Sequence, residues 1–167
     1  MNTQNLDRRF FLGLSGAGIV AGSIALATGG SSSKASAASF EIRRADADWK
    51  RRLGPQRYNI LRRAGTEPAF TSQLLKEHRK GIFACAGCGL PLFSSAAKYD
   101  SGTGWPSFWK ALPNAIATSS DMSWGMARVE EHCRRCGGHL GHIFDDGPKP
   151  TGKRHCINGL SLTFRPA

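Results

Sequence analysis

The sequence predicts a small, mainly β, largely antiparallel domain with a helical cap on its N-terminal side. Three observations carry this. From Gly81 onward apolar runs are short, glycine and proline recur, and alternation replaces helical spacing. Helical spacing is confined to the stretch around Asp46 to Arg63. Cys-x-x-Cys-Gly occurs twice, at Cys85-Ala86-Gly87-Cys88-Gly89 and at Cys133-Arg134-Arg135-Cys136-Gly137, a form that can tie two distant segments to one centre. A chain of 167 residues has room for one domain with a real core.

Residues 1–37 are set apart. Asp7-Arg8-Arg9-Phe10-Phe11-Leu12-Gly13 places an arginine pair directly before apolar residues. An uncharged Gly- and Ala-rich run follows to about Ala27, and Ala35-Ser36-Ala37 is a small-x-small cleavage pattern. This reads as a cleaved signal peptide of the twin-arginine type, which implies export to the periplasm or another extracytoplasmic space. A retained membrane span is the competing reading, but the run is short and broken by Gly13, Gly16, Gly18 and Gly22. No stable membrane insertion is expected after cleavage. The whole chain carries +11. Losing Arg8, Arg9 and Lys34 together with Asp7 leaves it basic. That balance permits nucleic acid, anionic membrane or acidic partners and does not choose among them.

Residues 38–45 read as an extended lead-in, and 46–167 as the domain. Asp46 or Asp48 is expected to cap a short helix with Trp49 and Leu53 on one face. Gly54-Pro55 breaks it. A second helix runs from about Gln56 to Arg63, Tyr58 and Leu61 inward, stopped by Gly65. Arg51, Arg52, Arg57, Arg62 and Arg63 read as a solvated basic face. Short strands are expected at Ile82 to Cys85, Leu92-Phe93, Ser123 to Val129, Leu140 to Phe144 and Leu160 to Phe164.

The duplicated Cys-x-x-Cys-Gly is the form of a zinc knuckle, and two knuckles supply four thiolates to one tetrahedral ion: Cys85, Cys88, Cys133 and Cys136. Such a site is closed, so its role would be structural. A pair of disulfides and a redox-active dithiol are the alternatives in an exported protein.

The fifth cysteine, Cys156, lies in Gly152-Lys153-Arg154-His155-Cys156-Ile157-Asn158-Gly159. Arg154 and His155 precede it, where positive charge favours thiolate over thiol; a buried inert cysteine is the alternative. His139 and His142, near a carboxylate pair, Asp145-Asp146, suit acid–base work; metal ligands or satisfied structural histidines are the alternatives. Trp105, between Gly104 and Pro106, suits either plain core or a rigid wall for a small apolar ligand.

These segments together resemble the B-type methionine sulfoxide reductases, which act on the R epimer. The resemblance runs from about Trp49 to Phe164. It rests on Gly65-Thr66-Glu67-Pro68-Ala69-Phe70, both knuckles, Ser101-Gly102-Thr103-Gly104-Trp105-Pro106-Ser107-Phe108, Gly138-His139-Leu140-Gly141-His142-Ile143-Phe144-Asp145-Asp146-Gly147-Pro148 and Arg154-His155-Cys156-Ile157-Asn158. It implies two small antiparallel sheets with short N-terminal helices, stapled by one structural Zn2+ on the four cysteines, away from the active site. It also implies that Cys156 attacks the sulfoxide sulfur and that His142 with His139 supplies protons to the oxygen. By the same resemblance Trp105 and Phe144 wall the S-methyl pocket, and Arg154 and Asn158 help hold the thiolate and the reacting oxygen. The implied partners are oxidised peptides or proteins and an external thiol reductant, thioredoxin-like or small, with the enzyme a monomer.

Two departures stand out. Many relatives carry a resolving cysteine where this chain has Thr103, so regeneration falls to an external thiol or to a cysteine leaving the metal. Relatives commonly have tyrosine and serine where this chain has His155 and Gly159. The rival functions are a zinc-ribbon nucleic-acid binder, which would leave Cys156 without a task, and a general thiol–disulfide oxidoreductase, which needs an accessible Cys-x-x-Cys pair. No nucleic-acid partner is expected.

Overall fold

The computed structural model describes residues 40–167. The expected signal peptide and the start of the lead-in lie outside them.

Phe40 to Ala45 has no regular structure but is docked on the second Cys-x-x-Cys turn. Ile42 N–H donates to the Arg135 carbonyl at 3.0 Å, and Glu41 pairs with Arg134 at 2.7 Å. The helical stretch α1 spans Asp46–Arg63, and Gly54 (φ 68, ψ 172) interrupts it, so the two expected helices are two arms of one kinked element. Neither Asp46 nor Asp48 caps it. Ala45 is the N-cap, and Asp46 instead accepts from the Tyr58 hydroxyl. The stop falls one residue early: Ala64 takes the left-handed conformation (φ 50), and Gly65 N–H returns to the Asn59 carbonyl at 3.0 Å. Trp49, Tyr58, Ile60 and Leu61 are buried. Arg62 departs from the solvated face, donating to the Cys136 carbonyl at 3.0 Å with its guanidinium 5.0 Å from the Trp49 ring centre.

A three-stranded antiparallel sheet orders β2 (Pro91–Ser94), β1 (Gly81–Cys85) and β9 (Leu162–Pro166). A six-stranded sheet orders β3 (Lys98–Tyr99), β4 (Ser107–Phe108), β8 (Arg154–Ile157), β7 (His139–Phe144), β6 (Arg128–Cys133) and β5 (Ile116–Asp121). All pairings are antiparallel. The strand expected over Ser123 to Val129 is corrected. That stretch opens with a 3-10 turn, Ser123–Gly125, at the tip of the β5–β6 hairpin, and only Arg128 and Val129 belong to a strand, the start of β6. The final strand begins at Leu162, after a 3-10 turn at Gly159–Ser161.

Phenylalanines join the sheets. Phe93 of β2 stacks on Phe108 of β4 with centroids 4.3 Å apart, and Phe83 of β1 meets the same ring edge-on at 5.0 Å. All three are fully buried, with Leu92, Leu140, Ile157 and Leu162 around them. The back of β8 thus rests on a packed aromatic core, which fixes where its front side chains point.

Candidate active site and metal centre

In the β7–β8 ladder His142 pairs with Cys156, and in the β4–β8 ladder Ser107 pairs with Cys156. Directly paired residues share a face. One row therefore crosses the sheet, from Ser107 through Cys156 and His142 to Glu130, the partner of His142 on β6. Alternation puts Arg154 and Phe144 on this face and His155 on the other. His155 is buried in the core beside the Phe93 ring, and its Nδ1 lies 2.8 Å from a carboxylate oxygen of fully buried Glu131. It is a packing residue, not a neighbour of the thiol.

A cavity of about 130 Å³ opens on this face, lined by Cys156, His142, Trp105, Phe144, Asn158 and Arg128 among others. An apolar cavity of about 150 Å³ holds one benzene, so this one suits a thioether end and little more. Gly141 also lines it, and a Cβ there would lie 1.9 Å from the Cys156 carbonyl oxygen, so only glycine lets β7 and β8 close at this point. The Trp105 indole N–H donates to the Glu67 carbonyl at 3.0 Å, which locks the ring as a wall. The Glu67 carboxylate, buried, accepts from the N–H groups of Gly159 and Leu160, the latter at 3.0 Å, and burial raises its pKa. Gly159 is required here, since a Cβ would sit 1.8 Å from Ser72 Oγ. Asn158 is held at both ends of its amide: Oδ1 accepts from Glu67 N–H and Nδ2 donates to the Leu140 carbonyl, each at 3.0 Å. It borders the cavity as a fixed group.

Cys156 is half-buried, and burial pushes its pKa above the ordinary thiol value; a contact with Thr103 and the nearby Arg154 oppose this without reversing it. The expected net bias to thiolate is thus outweighed. Thr103 Oγ1 is 3.9 Å from Cys156 Sγ, and a hydroxyl chain continues to Ser101 (2.8 Å) and Ser107 (2.7 Å). Arg154 lies 4.3 Å above the Phe144 ring centre and is held by Asp146 through two contacts of 2.8 Å.

The histidines find carboxylates other than the pair expected. Asp145 and Asp146 bind Lys153 and Arg154. His142 Nε2 pairs with Asp121 Oδ2 at 2.8 Å, and His139 Nδ1 with Glu130 Oε1 at 2.7 Å. Burial lowers the His142 pKa, and the bond to Asp121 opposes it. Asp121 is held well below the ordinary carboxylate value by Ser123 and then by His142. His139 and His142 rings meet edge-on at 5.5 Å; His142 borders the cavity, and His139 stands behind it. Asp121, Glu130, Arg128 and Thr66 were missed as site residues. Thr66 stands in a motif read only as part of the family resemblance; no local motif marks the other three, and only a predicted β5–β6 hairpin would have brought Asp121 to His142.

The other four cysteines converge. Cys85 and Cys136 Sγ are 3.7 Å apart, Cys88 and Cys133 3.5 Å, and all four sulfurs lie within 4.8 Å of one another. Tetrahedral coordination with metal–sulfur bonds of about 2.3 Å places sulfurs about 3.8 Å apart, whereas a disulfide needs about 2.05 Å. The set fits one metal ion. Both turns repeat the same pair of backbone bonds: Gly89 N–H to the Cys85 carbonyl (2.7 Å) with Cys85 N–H to Leu90, and Gly137 N–H to Cys133 (2.8 Å) with Cys133 N–H to Gly138. Gly89 and Gly137 each have positive φ, 73° and 65°, which explains the trailing glycine.

Comparison with known proteins agrees with this geometry. The SelR domain family matches residues 53–166. A peptide methionine sulfoxide reductase MsrB of Leptospira interrogans is 52% identical over 127 residues, covering 75% of this chain and 97% of that protein. Its namesake from Thiobacillus denitrificans is 55% identical over 122 residues, 72% of this chain and 92% of that protein. That of the archaeon Methanosarcina barkeri is 47% identical over 125 residues, 74% and 88%.

Proposed function

Since this chain belongs to the SelR-domain family and is a B-type peptide methionine sulfoxide reductase, we propose that the cavity over Cys156 is where it works. The reaction is the thiol-dependent reduction of methionine-R-sulfoxide in peptides or proteins to methionine. Cys156 Sγ attacks the sulfoxide sulfur. The S–O bond breaks and the protonated oxygen leaves as water; water then adds to Cys156 Sγ and breaks the new S–S bond, so methionine leaves as the thioether and Cys156 becomes a sulfenic acid. The protons the leaving oxygen takes are balanced by those Cys156 and the incoming water give up, so the sequence needs a shuttle and no net acid. His142 is that shuttle: it stands opposite Cys156 in the ladder and is held by Asp121, while His139 on Glu130 backs it. Trp105 and Phe144 enclose the S-methyl group. Arg154 and Asn158 hold the thiolate side of the site. The observation that carries the reading is the pairing of Cys156 with His142 at a cavity walled by Trp105 and Phe144.

Two external thiols then return the sulfenic acid to thiol, forming one disulfide and one water. The reductant is thioredoxin-like or a small thiol, because the residue beside Cys156 is Thr103 and the other four cysteines serve a metal. That metal is a structural Zn2+. The chain works as an exported monomer whose twin-arginine signal, residues 1–37, is removed. Among the described residues no helix is long and apolar enough to cross a membrane.

One experiment tests the chemistry. Reduced protein receives one equivalent of a methionine-R-sulfoxide peptide and then a sulfenic-acid trap. The expected product carries the trap on Cys156 with its metal retained, and Cys156→Ser gives neither methionine nor adduct. A Cys156 disulfide to a knuckle cysteine with metal released, or turnover by Cys156→Ser, would overturn it.

A further inference from the structure

The carboxylate that holds His142 also holds a second cavity residue. Asp121 Oδ2 is 2.8 Å from His142 Nε2 and 2.7 Å from Arg128 Nη2. Arg128 Nη2 also donates to Ser123 Oγ at 2.9 Å, so one edge of the guanidinium is fully engaged. Its Nε–H is not. That atom is buried and has no acceptor among the described residues, although Arg128 lines the same cavity as Cys156 and His142. A buried charged donor without an acceptor is costly, and such a group calls for a partner.

The substrate brings one. A sulfoxide differs from a thioether by a strongly polarised oxygen, a good acceptor, whereas the thioether sulfur is a poor one. We propose that Arg128 binds the sulfoxide oxygen through its Nε–H, holding it beside His142 while Cys156 attacks the sulfur. This rests on the reading of the cavity given above. A guanidinium donates hydrogen bonds without giving up its proton, so Arg128 holds the oxygen and leaves proton transfer to His142. It holds the oxygen and spreads the negative charge that grows there as the S–O bond breaks, while His142 delivers the proton. Asp121 sets the two groups in register, since one oxygen bonds both. Once the oxygen has gone, the Nε–H has nothing to bind, and methionine loses the contact that held its oxide.

The test is a binding comparison in a protein that cannot turn over. In Cys156→Ser, a methionine-R-sulfoxide peptide and the same peptide bearing methionine are titrated by calorimetry. The sulfoxide is expected to bind more tightly. Adding Arg128→Lys, which keeps a cation for Asp121 and removes the Nε–H, should weaken sulfoxide binding about tenfold or more while leaving the thioether peptide unchanged. Arg128→Met should do the same, with metal content and thermal midpoint followed as folding controls. Retained sulfoxide preference in Arg128→Lys, or equal loss for both peptides, overturns the assignment. If Cys156→Ser itself shows no sulfoxide preference, the cavity is not the substrate site, and the proposal falls with that broader reading.

Discussion

Five cysteines are put to two uses. Four sit at the ends of β1 and β6 and in the turns that follow, their sulfurs converging within 4.8 Å behind glycine-cornered loops that repeat the same hydrogen bonds. Four such ligands would complete a tetrahedral ion and leave no coordination position for a substrate. Cys156 sits mid-strand in the six-stranded sheet, with one hydroxyl at 3.9 Å and a cavity before it. Four sulfurs thus face one another, placed to hold a metal ion, while the fifth faces a histidine, an arginine and two aromatic rings. The surroundings, not the residue type, separate the two uses.

The sharpest way to break that contrast is to damage the locked end. Cys133→Ser or Cys88→Ser removes a ligand from a closed four-sulfur site, which contributes on the order of 10 kcal/mol in small zinc domains. The expected result is loss of the folded state, read as collapse of the near-ultraviolet circular dichroism and loss of bound metal. A well-folded, metal-free and active Cys133→Ser protein would count against a structural metal.

At the reactive end, Asp121→Asn leaves volume unchanged but removes the charge that holds His142. Turnover is expected to fall by about 10²- to 10⁴-fold, the range of a disabled acid–base group, with metal content unchanged. Near-normal turnover would remove His142 from the proton path.

Thr103→Cys tries to give Cys156 a second sulfur. With the residue-103 side chain 3.9 Å from Sγ, one turnover should end in a 103–156 disulfide, seen by mass as loss of the free thiol, and reduction should shift toward dithiol donors. Persistent trappable sulfenic acid would show that this loop cannot close.

The smallest effect is on acidity. Burial raises the Cys156 pKa, so the thiol holds its proton to higher pH than a free cysteine. Its alkylation by iodoacetamide should therefore climb about tenfold per pH unit through neutrality and level off above pH 9.0, the ordinary thiol value. Thr103→Val removes a contact that favours the thiolate, so the midpoint should move further up and alkylation at pH 7 should slow severalfold. A midpoint below the ordinary value, or one indifferent to Thr103→Val, would contradict this account.

What could be read in advance follows the range of the interactions. The knuckles, β1, β2 and β7 were legible because their signals are local: a spacing, a trailing glycine, an alternation. Strand β5, Ile116–Asp121, was not, because Thr118, Ser119 and Ser120 are exposed and polar, and the segment is a strand only through pairing with β6. Misplacing that hairpin also hid Asp121, whose importance lies in reaching β7. Arg62 was misread as solvated for a similar reason, since its acceptor is 74 positions away. The family resemblance supplied roles for His142 and Trp105, but not the Asp121 and Glu67 contacts that hold them.

Strand β8 has two unlike faces only one residue out of phase: Cys156 forward, and His155, on its buried carboxylate, behind. Adding or deleting a single residue within it would exchange them, turning the thiol into the aromatic core and the His155 ring into the cavity, away from its Glu131 partner on β6. The segment between Phe144 and Arg154 is tied down as well: Gly147 N–H donates to the Gly152 carbonyl at 3.0 Å, and Asp146 holds Arg154. The strand itself tolerates changes of letter but not of count.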